Sequence, residues 1–82
     1  MIFNRSNIKD IIIIEPKIHN DERGYFFESY KDSSFEEFGL KTFFVQDNQV
    51  KSKKGALRGL HYQLMNPQSK LVWVSQGSVL DV

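Results

Sequence analysis

The sequence contains no cysteine. This absence excludes a disulfide scaffold, a zinc site with cysteine ligands and a cysteine nucleophile. A secreted domain of 82 residues would usually depend on such cross-links. We therefore expect a protein of the reducing cytoplasm.

Long hydrophobic runs are also missing. The longest unbroken aliphatic stretch covers residues 11–14. A membrane-spanning helix needs about 20 apolar residues, and the centre of a signal peptide needs about 7–15. We expect a soluble chain with no membrane partner.

An excess of one charge sign is the third absence. Eleven Lys and Arg residues oppose ten Asp and Glu residues, which leaves a net charge of +1. A nonspecific nucleic-acid binder needs a basic surface stripe, so nucleic acid is not expected as a partner. A local site for one anionic ligand remains compatible with this balance.

Aromatic residues, in contrast, make up 13% of the chain. They form short clusters, such as Tyr25, Phe26 and Phe27, and then Phe43 and Phe44. Proteins rich in β-strands use such residues around ligand cavities. Plain core packing is the simpler explanation for any single one of them.

The apolar pattern is short and mostly of period two, which predicts strands. The predicted strands cover residues 11–15, 24–30, 43–50, 57–63, 70–75 and 78–82. Residues 19–22 are polar and are predicted as a turn. The sequence therefore predicts an all-β fold, an antiparallel sandwich or barrel of one domain.

One short helix is predicted over residues 32–39. Asp32 or Ser33 can cap its start, and Gly39 can end it. Phe35 and Phe38 are three residues apart, so they share one face of this helix.

The last predicted strand continues to Val82 with no turn or cap after it. Barrels and jelly rolls avoid bare strand edges by closing, and five or six strands do not obviously close a cavity for a large ligand. We expect residues 1–82 to be the N-terminal part of a longer single domain, with the barrel incomplete in this chain.

A histidine, His61, stands in the otherwise apolar stretch 55–63. A neutral imidazole can accept a proton near pH 7, since histidine ordinarily titrates at about pH 6.5. Arg58, three residues earlier, needs an anionic partner if it is even half buried, and a ligand phosphate would serve. A histidine satisfied within the core is the alternative.

The same stretch resembles the motif of metal-binding cupins, in which a glycine precedes a histidine by six residues. Gly55 and His61 keep this spacing, but Gln63 stands where the second histidine is expected and Gln68 near the expected glutamate. Metal sites need several converging donors. We expect a cupin-like barrel without a metal or other cofactor.

Three further segments carry candidate binding residues. In an extended strand Gln46 and Asn48 point the same way and can bind a ligand by hydrogen bonds, unless they lie on a polar outer face. Phe26 and Glu28 share a face of the predicted strand. An aromatic ring beside a carboxylate suits a heterocyclic base with its imino group or sugar, and Arg23 suits a phosphate. A hairpin with salt bridges is the alternative explanation of this segment.

Lys70 opens an apolar segment. A lysine beside a cavity can stabilise an oxyanion on a substrate carbonyl. A lysine at the end of a strand that extends its amine to water is the alternative reading.

Together these segments resemble the dTDP-4-dehydrorhamnose 3,5-epimerase family. The matching runs are DERGYFFE at residues 21–28, QDN at 46–48, LRGLHYQ at 57–63 and KLV at 70–72, followed by Gly77, Asp81 and Val82. Each run alone is weak, but the four in this order are specific. Family members are about twice as long as this chain.

The resemblance implies a cupin-type jelly roll, usually a homodimer with exchanged N-terminal strands, in dTDP-rhamnose biosynthesis. His61 would be the base and Lys70 would bind the substrate at its keto group. Arg23 and Arg58 would bind the substrate, at its diphosphate. The resemblance also implies nucleotide contacts for Phe26, which would stack on thymine, and for Glu28, Gln46 and Asn48. The family's aspartate partner of the histidine and its tyrosine proton donor match no position in residues 1–82.

The activity implied is epimerisation of dTDP-4-dehydro-6-deoxy-glucose at C3 and C5, without a redox cofactor or metal. Two alternatives stay open: an epimerase acting at one of these carbons on a related 4-ketosugar, and an inactive fragment or sugar-nucleotide binding module. We expect residues 1–82 alone to show no turnover.

Overall fold

A computed structural model describes all of residues 1–82. The chain forms two compact units, Met1–Val45 and Gln46–Val82. All regular secondary structure belongs to the first unit. Its elements are the strands β1 (Ile2–Arg5), β2 (Ile12–Glu15), β3 (Ile18–Asp21) and β4 (Gly24–Phe27) and the helix α1 (Asp32–Phe38).

Strands β1 and β2 form an antiparallel hairpin in which Phe3 lies opposite Ile14 and Arg5 opposite Ile12. The β-branched isoleucines of β2 suit the pleated surface of a strand. The amide of Ser6 donates to the carbonyl of Ile11 at 3.1 Å, which extends the pairing toward the connecting loop. The prediction of a strand at residues 11–15 is confirmed, while the pattern did not reveal β1.

Strands β3 and β4 form a second antiparallel hairpin. The prediction of a turn over residues 19–22 is wrong in its position, because residues 18–21 are the strand β3 and the turn consists of Glu22 and Arg23. The Asp21 carboxylate accepts a hydrogen bond from the Arg23 amide at 2.8 Å, which replaces a backbone partner in this tight turn. Polar strand residues resemble turn residues when one face of a hairpin is solvated.

Helix α1 begins after Lys31, whose side chain makes no capping hydrogen bond. The prediction of Asp32 or Ser33 as the cap is therefore wrong, and the Asp32 carboxylate instead accepts a hydrogen bond from the Tyr30 hydroxyl at 3.0 Å. Gly39 ends the helix as predicted, with a φ of 99° and its amide on the carbonyl of Glu36. With seven residues, α1 has neither the length nor the apolar content to cross a membrane.

An aromatic cluster links the first hairpin to the helix; its members are Phe3, Tyr30, Phe35, Phe38 and Phe44. Phe35 is its centre and is only 2% exposed. The Phe35 ring meets those of Phe3 and Tyr30 edge-on at 5.2 and 4.7 Å, while Phe3 stacks on Phe38 at 4.9 Å. Edge-on and offset contacts suit the charge distribution of aromatic rings. This cluster is the core of the first unit.

The predicted strands at residues 43–50, 57–63, 70–75 and 78–82 are absent, and β4 ends at Phe27 rather than at residue 30. A strand exists only when a neighbouring strand satisfies its backbone groups, and none of these segments has such a neighbour. The coarser prediction holds: the regular structure is mostly β, in two antiparallel sheets with one short helix.

Candidate functional site

The eight predicted site residues lie in both units of the chain. The first unit contains Arg23, Phe26 and Glu28, and the second contains Gln46, Asn48, Arg58, His61 and Lys70. All eight side chains are exposed.

Arg23 lies in the turn between β3 and β4 and is held by one carboxylate. Its Nη2 and Nε donate to Asp21 Oδ2 at 2.7 and 3.2 Å. The Arg23 guanidinium and amide hold the pKa of the Asp21 carboxyl below its ordinary value of 3.8, because both stabilise the charged form. One edge of the guanidinium is therefore occupied and its charge is partly balanced.

Phe26 presents an open aromatic surface on β4, since its side chain is 71% exposed. Its cross-strand neighbour is His19, with ring centroids 6.4 Å apart. On the opposite face Tyr25 stacks with Phe27 at 5.9 Å, which agrees with the predicted alternation. His19 was missed because only the register of the hairpin places it beside Phe26.

Gln46 and Asn48 are the two predicted site residues that the structure joins directly. Gln46 Nε2 donates to Asn48 Oδ1 at 3.2 Å. The prediction that the two amides point the same way is thus confirmed, although the segment is not a strand. The Asn48 amide nitrogen and the Gln46 carbonyl oxygen remain available, so the pair can both donate to and accept from a ligand.

Arg58 is oriented by a residue that the sequence did not single out. Its Nε donates to Ser52 Oγ at 3.0 Å, across six residues of the chain. Next to it Gly59 has a φ of 103°, which breaks the strict alternation of an extended strand. The backbone therefore bends between Arg58 and His61.

His61 and Lys70 make no hydrogen bond with another predicted site residue. Between them, the amide of Gln68 donates to Gln63 Oε1 at 3.0 Å and closes the intervening loop. These two glutamines occupy the positions where a metal-binding cupin has ligands, and no three His, Cys, Asp or Glu side chains converge in the chain. The catalytic roles of His61 and Lys70 remain predictions.

The first unit also has an open cavity of about 340 Å³ beside α1. None of the predicted site residues contributes to it. Its lining consists of Asp32, Glu36, Leu40, Lys41, Thr42 and Phe43. Because it shares no residue with the predicted site, this cavity is not the site that the sequence predicts.

Comparison with known proteins identifies what the chain is similar to. A protein-family model described as dTDP-4-dehydrorhamnose 3,5-epimerase matches residues 5–82. An enzyme of that name from Salmonella typhimurium is 55% identical over 84 residues, and one from Methanothermobacter thermautotrophicus is 49% identical over 80 residues. A third, from Pseudomonas aeruginosa, is 51% identical over 79 residues.

These alignments cover nearly all of the chain but only part of each relative. They include 100%, 98% and 95% of the chain, against 46%, 43% and 44% of the three relatives in the same order. The chain thus spans less than half the length of the curated relatives it matches.

Proposed function

Because the chain belongs to the dTDP-4-dehydrorhamnose 3,5-epimerase family, we propose that it supplies the general base and many of the nucleotide-binding residues of such an enzyme. The reaction is epimerisation of dTDP-4-dehydro-6-deoxy-glucose at C3 and C5, which gives dTDP-4-dehydro-rhamnose. The observation that carries this proposal is the family match over residues 5–82.

The chemistry starts from the ketone at C4. Hydrogens on C3 and C5 are acidic because the enolate formed by their loss places its charge on the ketone oxygen. In the proposed mechanism the neutral imidazole of His61 removes one of these protons. The ammonium group of Lys70 holds the oxygen as negative charge develops there.

Inversion is completed when a proton returns to the same carbon from the opposite face. This step needs an acid on that face, and we assign no residue of 1–82 to it. Carbon, oxygen and hydrogen are conserved and no electrons are exchanged with an external partner. The reaction as proposed therefore proceeds without a redox cofactor.

The nucleotide part of the substrate needs groups that bind phosphate, stack on a base and form hydrogen bonds. We assign the diphosphate to Arg23 and Arg58, whose guanidinium groups suit phosphate oxygens. Phe26 stacks on thymine with its exposed ring face. Glu28 and the amide pair Gln46 and Asn48 bind the nucleotide by hydrogen bonds; the contact between the two amides supports a joint role.

The finer architecture is also part of the proposal. We propose that residues 1–82 belong to a single cupin-like jelly-roll domain, that the enzyme is a homodimer, and that it acts in the cytoplasm in dTDP-rhamnose biosynthesis. The two antiparallel hairpins support the jelly roll, because such folds are built from antiparallel strands.

The test is hydrogen exchange at the two carbons in deuterated water. With the full-length protein and dTDP-4-dehydro-6-deoxy-glucose, we expect NMR to show deuterium at both C3 and C5 of the product. dTDP-glucose is the matched control: it lacks the C4 ketone, so its ring hydrogens should not exchange. Deuterium at only one of these carbons would contradict the proposal and indicate an epimerase that acts at a single carbon. Binding of the ketosugar without any exchange would replace it by a binding module.

A further inference from the structure

Arg58 and Arg23 are held in chemically different ways, although both are candidates for the diphosphate. The hydrogen bond of Arg58 uses Nε and ends on a neutral hydroxyl, that of Ser52. Arg23 gives Nε and one Nη group to the Asp21 carboxylate. The hydrogen bond with Ser52 therefore orients Arg58 without balancing its positive charge, and both of its Nη groups stay available for an anion.

The local backbone explains how Ser52 reaches Arg58. The amide of Ala56 donates to the carbonyl of Lys53 at 3.0 Å, and Gly55 adopts a φ of 82°. This turn reverses the chain and brings together two side chains six residues apart. We call residues 51–58 the basic loop, since it also contains Lys51, Lys53 and Lys54.

The charge of the surrounding segment favours the same assignment. Between Asp47 and Asp81 the sequence has five basic residues and no acidic one. A carboxylate that could compete for Arg58 is therefore absent from its own stretch of chain. An anion that approaches the basic loop meets a local excess of positive charge, which raises its rate of association at low salt.

We propose that Ser52 is a positioning residue, which fixes the Arg58 guanidinium so that its two Nη groups bind the diphosphate of a nucleoside diphosphate. The inference rests on the proposed function, which assigns the diphosphate of the nucleotide to Arg58. Holding Nε in advance reduces the side-chain freedom that Arg58 loses on binding. It also sets the plane in which two oxygens can be bound together.

The experiment measures the affinity of the 82-residue chain for inorganic pyrophosphate, dTDP and thymidine by isothermal titration calorimetry. Ser52→Ala should weaken the binding of pyrophosphate and of dTDP by about fivefold, the effect of losing one typical intramolecular hydrogen bond. Ser52→Thr retains the hydroxyl and should restore affinity. Ser52→Asp should weaken both ligands more than Ser52→Ala, because a carboxylate would pair with Arg58 as Asp21 does with Arg23.

Ser78→Ala is the matched control and should leave all three affinities unchanged. A positioning role also predicts an NMR signature: the Arg58 Nε–H resonance should exchange faster with water in Ser52→Ala than in Ser52→Thr. A purely structural role would change thymidine binding as much as pyrophosphate binding.

Two outcomes overturn the inference: pyrophosphate fails to bind the chain, or Ser52→Ala and Ser78→Ala bind it equally well. A separate outcome affects only the proposed function. If pyrophosphate binding depends on Ser52 but dTDP binds no more tightly than pyrophosphate, the role of Ser52 stands and the thymidine-nucleotide assignment fails.

Discussion

The two units of the chain differ in structure and in charge. Met1–Val45 contains every strand, the helix and the aromatic cluster. It has six basic and eight acidic residues, whereas Gln46–Val82 has five basic and two acidic residues. The second unit has no regular secondary structure, and all of its side chains are exposed. It nevertheless contains five of the eight predicted site residues.

The difference shows where each kind of information lies. In the first unit β1 pairs with β2 and β3 with β4, so one short segment of sequence, residues 2–15 or 18–27, contains both partners of each hairpin. The segments of the second unit have the alternating pattern of strands but no pairing partner. The core that stabilises the chain and the residues proposed for the proton transfer, His61 and Lys70, therefore lie in different parts of the sequence, and substitutions can test them separately.

The largest expected effect is on the chemistry assigned to the second unit. In the full-length protein, His61→Asn should lower turnover by about 10²- to 10⁴-fold, because a general base contributes that much to a proton transfer. Affinity for dTDP should change little, since the imidazole is assigned to the sugar. Turnover is measured by NMR and affinity by calorimetry.

His19→Asn replaces the other histidine of the chain and serves as the control, with turnover expected to stay within about twofold. Near-normal turnover in His61→Asn would show that His61 is not the base. The proposed separation of stability and catalysis between the two units would then be wrong.

The next effect concerns the stability of the first unit. Phe35→Ala should cost about 3–5 kcal/mol, since it empties the centre of the aromatic cluster. Amide hydrogen exchange should then lose its protection in β1, β2 and α1. Exchange in Gln46–Val82 should not change.

Phe43→Ala is the control, because that side chain is 91% exposed and its removal leaves no cavity. Protection that survives Phe35→Ala would mean that hairpin pairing alone, without the cluster, stabilises the first unit.

The smallest effect is a pH dependence confined to the turn between β3 and β4. The pKa of Asp21 is lowered in the folded hairpin, so its stabilising contribution is complete above the ordinary value of 3.8. It is lost as pH falls below that value through the lowered pKa of the folded form. The Arg23 amide resonance, followed by NMR from pH 6 down to about 2, should report this loss.

Asp21→Asn keeps an oxygen for the Arg23 amide and removes the titrating group, so the resonance should become insensitive to pH. An unchanged titration in Asp21→Asn would assign the effect to another carboxyl group.

Some of these elements are predictable from sequence because their causes are local. The β2 strand has three β-branched isoleucines, and Gly39 provides the left-handed backbone that ends α1. The bounds of β3 were missed because its polar residues resemble those of a turn. The strand predicted at residues 57–63 has the correct period, but no local pattern specifies a partner strand.

The candidate site divides in the same way. The common orientation of Gln46 and Asn48 follows from their spacing and was predicted. The salt bridge of Arg23 agrees with the alternative stated for its segment, a hairpin with salt bridges. The contact between Arg58 and Ser52 was not predicted, because it depends on the turn at residues 53–56. The roles proposed for His61 and Lys70 come from the resemblance to the family, and not from contacts in the structure.

Phe35 is the one hydrophobic side chain that is almost completely buried, and so small a core affects the shape of the melting curve. The heat capacity change of unfolding grows with the apolar surface that becomes exposed, and here most apolar side chains are already in water. The enthalpy of unfolding is correspondingly small. Because the entropy of unfolding is small as well, the first unit should melt gradually over a wide range of temperature. A ligand that binds the folded form should displace the midpoint further than it would in a protein with a large core.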